Sequence, residues 1–178
     1  TSPGPKTPAV AVFDPFAGAD PAVAALRDAL WAAGAQAEIT SDPDSAVAAD
    51  GLLVVASGDA AEALRVLRNT QVDRVVGQRL AGSRPVLVVG AAMDALFERA
   101  ADGAAGFGEW PGGVVKLDAP VERAAVAAAD GSQMLDGAQE FVFNAATGAR
   151  DFELKEDEFI AYPKLSWAGE VLAAVENG

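Results

Sequence analysis

The chain has 178 residues, of which 51% are apolar, and carries a formal net charge of −13 at pH 7. Its length and apolar content suffice for one domain with a sizeable core. Nucleic acids and anionic membrane surfaces are bound through basic side chains, so the acidity argues against both as partners. The sequence contains neither cysteine nor histidine. That absence excludes disulfides, catalytic triads built on histidine, and metal sites built on either residue.

Residues 1–8 are rich in proline and are expected to form a flexible leader. No apolar run approaches the roughly 18 residues that a membrane-spanning helix requires. No basic segment precedes an apolar stretch, as it would in a signal peptide. The cytoplasm is therefore the expected compartment.

Residues 9–97 alternate short β-branched runs with amphipathic segments. The predicted strands are residues 9–13, 35–40, 52–56 and 85–89. The predicted helices are residues 21–33, a short helix opened by residues 42–44, residues 60–68, residues 72–80, and one running through Met93, Leu96 and Phe97. Asp20, Asp42 and Asp59 are the predicted N-caps, because a carboxylate before the first turn accepts its free N–H groups. In the first helix, Val23, Leu26, Leu30 and Trp31 are predicted to face inward.

The strands are nearly continuous apolar runs, which is typical of a parallel sheet covered on both faces. The alternation of strands and helices predicts a doubly wound α/β fold with a mostly parallel sheet. The last third differs. It has a glycine-rich stretch at residues 103–113 anchored by Trp110, strands at residues 114–117 and 140–143, and a weakly patterned stretch at residues 121–137. Residues 151–154, 159–162 and 170–175 are predicted antiparallel strands. No linker is visible, so residues 9–178 are expected to form a single domain.

The turn after the fourth strand is where α/β enzymes place a nucleophile, beside a helix N-terminus that can stabilise an oxyanion. The apex of this turn is predicted at Gly90 or a neighbour. None of Val89, Gly90 and Ala91 carries a nucleophilic atom. The turn by itself therefore indicates a position that needs a small residue.

Five carboxylates follow predicted strand ends at one edge of the sheet: Asp14, Asp42, Asp44, Asp59 and Asp94. That edge is where doubly wound domains bind ligands. A cluster of carboxylates there could bind Mg²⁺. The competing interpretation is structural, with Asp14 as a turn residue and Asp42 and Asp59 as helix caps.

Segments along nearly the whole chain resemble the class I glutamine amidotransferases, and in particular the actinobacterial glutaminase subunit of imidazole glycerol phosphate synthase. One matching segment consists of residues 84–87, Met93 and residues 96–98. The others are residues 10–14, 38–44, 50–52, 106–112, 117–120, 150–154, 166–168 and 173–178. The resemblance implies a class I amidotransferase-like, flavodoxin-like fold with an antiparallel C-terminal extension. It also implies glutamine hydrolysis by a Cys-His-Glu triad, in histidine biosynthesis.

The departures from the family pattern fall on that chemistry. Gly90 stands where the resemblance places the nucleophilic cysteine, with Val88 and Ala92 in place of its flanking glycines. Residues 55–58 (Val55, Ala56, Ser57, Gly58) replace the oxyanion segment, and residues 14–19 replace the first-loop pattern. A Pro-His-Met-Gly-Trp-Asn segment is missing after Pro120, and Phe143 replaces the histidine of a His-Ser-Tyr segment. The family pattern continues beyond Gly178 toward the catalytic base.

The predicted function is therefore a catalytically inactive paralogue of this glutaminase, acting by binding a partner or ligand. No catalytic residue, cofactor or metal site is expected. Gly90, Ala91, Val55, Ala56, Ser57, Gly58 and Phe143 form the predicted vestigial glutamine site. The resemblance implies a cyclase-type (β/α)₈ barrel as partner, and self-association is the other possibility. Two alternatives stay open: a carboxylate- or metal-dependent enzyme using Asp14, Asp59 and Asp94, and a truncated chain without activity.

Overall fold

A computed structural model describes residues 4–153 and 163–177. The chain divides into two compact units, Thr1–Ala95 and Leu96–Gly178. Each is described by itself below. The expectation of a single domain over residues 9–178 stays a prediction, and so does the flexible leader, whose residues 1–3 lie outside the described part.

The first unit is built on a four-stranded parallel sheet. Its strands are β1 (Ala9–Phe13), β2 (Gln36–Thr40), β3 (Gly51–Ala56) and β4 (Val86–Gly90), in the order β2-β1-β3-β4. All three pairings are parallel. The prediction of a parallel α/β sheet is confirmed, with each strand within one residue of its predicted limits. The order follows the flavodoxin-like arrangement, in which ligands bind beyond the carboxyl ends of the strands.

Five helices connect and cover these strands within the described part of the first unit: α1 (Pro21–Ala32), α2 (Pro43–Ala48), α3 (Ala60–Asn69), α4 (Val72–Ala81) and α5 (Ala91–Asp94). The three predicted caps are confirmed. The carboxylates of Asp20, Asp42 and Asp59 each accept a first-turn N–H group. Among the described residues, none of the helices has the length and apolar character needed to span a membrane.

The core of the first unit lies on both faces of the sheet. Val12, Leu53 and Val55 point to one face and pack with Val23 of α1, against which Leu26 and Leu30 also pack. The alternating residues, such as Phe13 and Val54, point to the opposite face and are also buried. Trp31 is the exception to the predicted inward stripe. It is 52% exposed, and its indole N–H donates to the carbonyl of Ala37 in β2 at 2.9 Å.

The second unit contains an antiparallel sheet and a short parallel pair. The pair is β5 (Phe97–Arg99) with β6 (Trp110–Gly113), and the sheet comprises β7 (Val115–Ala127), β8 (Ala138–Gly148), β9 (Lys164–Ala168) and β10 (Val171–Glu176) in the order β10-β9-β7-β8. The antiparallel C-terminal extension is therefore confirmed. The predicted strands at residues 114–117, 140–143 and 170–175 fall within or beside β7, β8 and β10. Strand β9 has no counterpart among the predicted strands.

Two further predictions are wrong. The helix through Met93, Leu96 and Phe97 ends at Asp94, because Phe97 instead joins β5 and packs edge-on against Trp110 at 5.4 Å. Residues 151–153 form no strand, although residues 151–154 are a predicted one. The weakly patterned stretch from residue 121, for which no structure is predicted, continues as β7 to Ala127 through cross-strand pairing with β8. Leu154 and the predicted strand at residues 159–162 lie outside the described residues.

One buried arginine joins several elements of the first unit. Arg79 in α4 is fully buried, and its guanidinium donates to the carbonyl oxygens of Val47 (3.0 Å) and Ala49 (2.7 Å) at the end of α2. It also donates to Asp50 (3.1 Å) and Pro85 (2.9 Å), just before β3 and β4. Burial lowers the pKa of Arg79, and the neighbouring positive charge of Arg84 lowers it further. An arginine stays protonated regardless, so its donors all serve as hydrogen bonds to the main chain.

We expect Arg79→Lys to lower the free energy of unfolding by roughly 2–4 kcal/mol, because an ammonium group cannot reach all of these carbonyls and leaves buried acceptors unpaired. Urea denaturation followed by circular dichroism measures this loss. The matched control is Arg65→Lys, whose side chain on α3 is 62% exposed and pairs with exposed Glu62. The control should change stability by less than about 0.5 kcal/mol. Equal effects of the two substitutions would contradict the assignment of Arg79.

Candidate functional site

The candidate site lies at the carboxyl ends of the first unit's strands. Ala56, the last residue of β3, is the register partner of Gly90, the last residue of β4. Phe13, which ends β1, is the partner of Val54 in β3. The residues that follow β1 and β3 therefore start from the same edge of the sheet as Gly90. The site is built at that edge.

Gly90 occupies a sharp strand-to-helix turn. Its φ of 74° and ψ of −140° lie in a region that residues with a side chain rarely adopt. A Cβ atom at this position would overlap the carbonyl oxygen of Ala56. This backbone resembles the strained turn that holds a nucleophile in α/β enzymes, yet glycine supplies no reacting atom. Helix α5, which follows, has four residues and is too short to act as an anion site.

The end of β3 leads into an exposed loop, and the first main-chain N–H group of that loop already donates a hydrogen bond. Val55 and Ala56 are buried, whereas Ser57 and Gly58 are exposed. The main-chain N–H of Ser57 donates to Oδ2 of Asp20 at 2.8 Å. The other carboxylate oxygen of Asp20 accepts from the N–H of Ala22 at 3.0 Å and caps α1. An oxyanion at this edge would therefore compete with a carboxylate for the Ser57 donor.

Asp14, Asp42 and Asp59 also follow strands at this edge, and their carboxylates accept hydrogen bonds from main-chain N–H groups. Asp14 is 8% exposed and accepts from the N–H groups of Phe16 (3.1 Å) and Gly18 (2.7 Å). Asp59 accepts from the N–H of Glu62 at 2.9 Å. The hydroxyl of Ser45, at 2.6 Å, is the main cause that lowers the pKa of Asp42. Within residues 4–153 and 163–177, no three His, Cys, Asp or Glu side chains lie close enough to hold a metal ion. The structural interpretation of Asp14, Asp42 and Asp59 is therefore supported, and the carboxylate enzyme gains no geometric support.

The predicted vestigial site is only partly assembled within one unit. Gly90 and Ala91 lie beside the end of β3, where residues 55–58 are located. Phe143 belongs to β8 of the second unit, where its ring packs edge-on against Phe141 at 6.3 Å. At Gly90 there is no room for a Cβ atom, because the carbonyl oxygen of Ala56 fills that space. The sequence predicts Asp20 only as a cap, since its bond to Ser57 spans 37 residues and leaves no local signal.

Comparison with known proteins places this geometry in a family. A crystal structure of a glutamine amidotransferase matches with a TM-score of 0.71 at 17% identity, over 95% of this chain and 85% of that one. The imidazole glycerol phosphate synthase subunit HisH of Nocardia farcinica is 42% identical over 163 residues, which is 84% of this chain and 77% of the relative. The chain belongs to the HisH family. The HisH proteins of Thermobifida fusca and Mycobacterium bovis are 39% and 34% identical, over 82% and 84% of this chain and 75% and 77% of the relatives. No protein-family model matches.

Membership in the HisH family confirms the resemblance drawn from the sequence segments. The structural match confirms the class I glutamine amidotransferase-like fold, with a parallel sheet in the first unit and an antiparallel sheet in the second. The assignment of Gly90 and residues 55–58 as a vestigial site remains a prediction.

We expect Gly90→Ala to lower the free energy of unfolding more than Gly58→Ala does. Both glycines have positive φ, 74° and 87°, so each substitution incurs backbone strain of roughly 1–3 kcal/mol. Only Gly90 adds an overlap with a main-chain atom, since nothing lies within 4 Å of a Cβ at Gly58. The difference between the two should be at least about 1 kcal/mol, measured by chemical denaturation. Similar losses would show that the Ala56 carbonyl does not constrain the turn.

Proposed function

We propose that this HisH-family chain has no glutaminase activity and works by binding. The observation that carries the proposal is Gly90, which stands at the position where the resemblance places the nucleophilic cysteine. None of the 178 residues is a cysteine that could take over the attack. Glutamine hydrolysis through a thioester needs a thiolate, because the thiolate forms the acyl bond.

The second support comes from the segment that would stabilise the oxyanion. In this proposal residues 55–58, Gly90 and Ala91 are the remains of a glutamine site. The Ser57 N–H donates to the Asp20 carboxylate, and a developing negative charge would be repelled by that same carboxylate. Substrate attack is thus opposed at both the nucleophile and the oxyanion position.

The proposed partner is a cyclase-type (β/α)₈ barrel. The relatives are named as subunits of imidazole glycerol phosphate synthase, and in the resembling family the glutaminase subunit works with such a barrel. A chain that keeps the fold without the reacting groups retains a surface for association. We therefore assign it a binding role in that assembly.

We expect the purified protein to release no glutamate from glutamine above the buffer blank, with or without the cyclase. Loss of the nucleophile of a catalytic triad alone lowers the rate by about a millionfold. A coupled glutamate dehydrogenase assay measures this, with an active HisH protein as positive control. Gly90→Cys should stay inactive, because the Cβ atom of the introduced cysteine would overlap the carbonyl oxygen of Ala56. Glutamate release by the wild-type chain that persists after repurification would refute the proposal.

We expect the chain to form a one-to-one complex with the cyclase subunit encoded in the same genome. Isothermal titration calorimetry should give a saturable heat with a dissociation constant in the micromolar range or below, about −8 kcal/mol. Bovine serum albumin, another acidic protein, serves as the control for charge-driven binding. Absence of heat with the cognate barrel, at concentrations where an active HisH protein binds, would remove the cyclase as partner and leave the inactivity test unaffected.

A further inference from the structure

Within residues 4–153 and 163–177, strand β8 of the second unit pairs with β7 alone, so its other edge is open in the described part of the chain. The pairing is regular where Ala138–Val142 faces Arg123–Ala127, and the register shifts beyond Val142. Asn144, with a φ of 51°, lies within that shift. The regular part of the free edge is therefore the segment from residue 138 to residue 142.

This edge is apolar and lacks the features that usually protect an edge. Val142 is 60% exposed and Phe141 is 37% exposed. Proteins commonly blunt such edges with lysine, proline or inward-facing charges, and β8 contains neither lysine nor proline. Its one charged residue, Glu140, is neutralised by Arg123 of β7 at 2.7 Å. The β8 edge is thus a neutral segment in a chain whose net charge is −13.

The border strand β2 of the first unit differs in each of these respects. The indole of Trp31 donates to the Ala37 carbonyl at 2.9 Å and so occupies part of the main chain of β2. The guanidinium of Arg27 lies 4.5 Å from the Trp31 ring centre and adds a charge beside it. The middle residue of β2 is the exposed Glu38. Strand β2 thus provides a protected edge for comparison with the β8 edge.

We propose that the β8 edge is where two copies of this chain pair, antiparallel, through the part of the strand around Phe141 and Val142. An open edge needs an extended strand as its partner, and a second copy brings an identical one. A (β/α)₈ barrel is a closed sheet without a free edge, so the proposed cyclase partner does not satisfy this surface. Two chains of charge −13 repel over most of their surfaces, and the neutral β8 edge is a place where they can meet.

The residues of β8 are compatible with their own copy. In an antiparallel pair centred on Val142, Phe141 faces Phe143 of the second copy and Glu140 faces Asn144. In a pair centred on Phe141, Glu140 faces Val142. Neither register places like charges opposite each other, whereas a pair centred on Glu140 would set the two Glu140 carboxylates face to face and is disfavoured. The register centred on Val142 also adds cross-strand aromatic pairs, which stabilise antiparallel sheets. The pairing does not depend on whether glutamine is hydrolysed.

The test is the oligomeric state of the full chain and its variants by sedimentation velocity from about 10 µM to about 1 mM. Wild type should shift from one to two chain masses across this range. Val142→Glu should weaken the dimer at least about tenfold, because the introduced carboxylate faces its own counterpart in the first register and Glu140 of the second copy in the other. Val142 is 60% exposed, so the monomer should keep its circular dichroism spectrum and melting temperature.

The matched control is Ile39→Glu on the protected edge β2, where the native side chain is 38% exposed. It should leave the dimer unchanged. Amide hydrogen exchange adds a second measurement: residues 139–142 should be protected more strongly at high wild-type concentration, and not in Val142→Glu. A wild-type chain that is monomeric at about 1 mM, or a dimer that Val142→Glu leaves intact, would overturn the proposal. Loss of the dimer in Ile39→Glu would also overturn the proposal. The same holds if Val142→Glu weakens binding to the cyclase and leaves the dimer unchanged.

Discussion

The buried guanidinium of Arg79 is the contact on which the first unit's sheet depends. The last carbonyl groups of a short helix have no partners within it, and α2 ends directly before β3. Arg79 donates to these carbonyls, and also to the residues that precede β3 and β4. Asp50 extends the same cluster, because its carboxylate accepts from the N–H of Ala9 at the start of β1, which lowers the pKa of Asp50. The amino ends of three neighbouring strands are thereby held in register.

That register decides what the opposite edge of the sheet can do. With β3 and β4 aligned, the carbonyl of Ala56 lies against Gly90, and the turn accepts only a residue without a Cβ atom. The Asp20 carboxylate then fixes the first N–H after β3 and ties it to the start of α1. The main chain at this edge is therefore fixed by contacts that stabilise the fold. A side chain added at Gly90 would disturb that packing.

Most of the first unit could be predicted from sequence because its signals are local. Strand β1 is a short buried run whose predicted and observed limits coincide, and Asp20, Asp42 and Asp59 stand immediately before their helices. The role of Arg79 escapes the sequence analysis, although the residue continues the apolar positions 72, 75 and 76 of α4 and so occupies a core-facing position. The Asp20–Ser57 bond and the change of Phe97 from helix to strand depend on residues distant in sequence. Periodicity carries no information about such contacts.

The unequal protection of β2 and β8 bears on how this chain could associate with other proteins. A closed barrel has no free main-chain donors or acceptors at a sheet edge, so another protein must bind it through side chains. An open strand, in contrast, can form main-chain hydrogen bonds with another strand. Association with a barrel and pairing of two copies therefore draw on different groups of the protein and need not exclude each other. A substitution at Val142 acts on an exposed side chain in the second unit, far in sequence from Gly90 and Ser57. The two kinds of binding can consequently be separated by single substitutions that leave the Arg79 contacts intact.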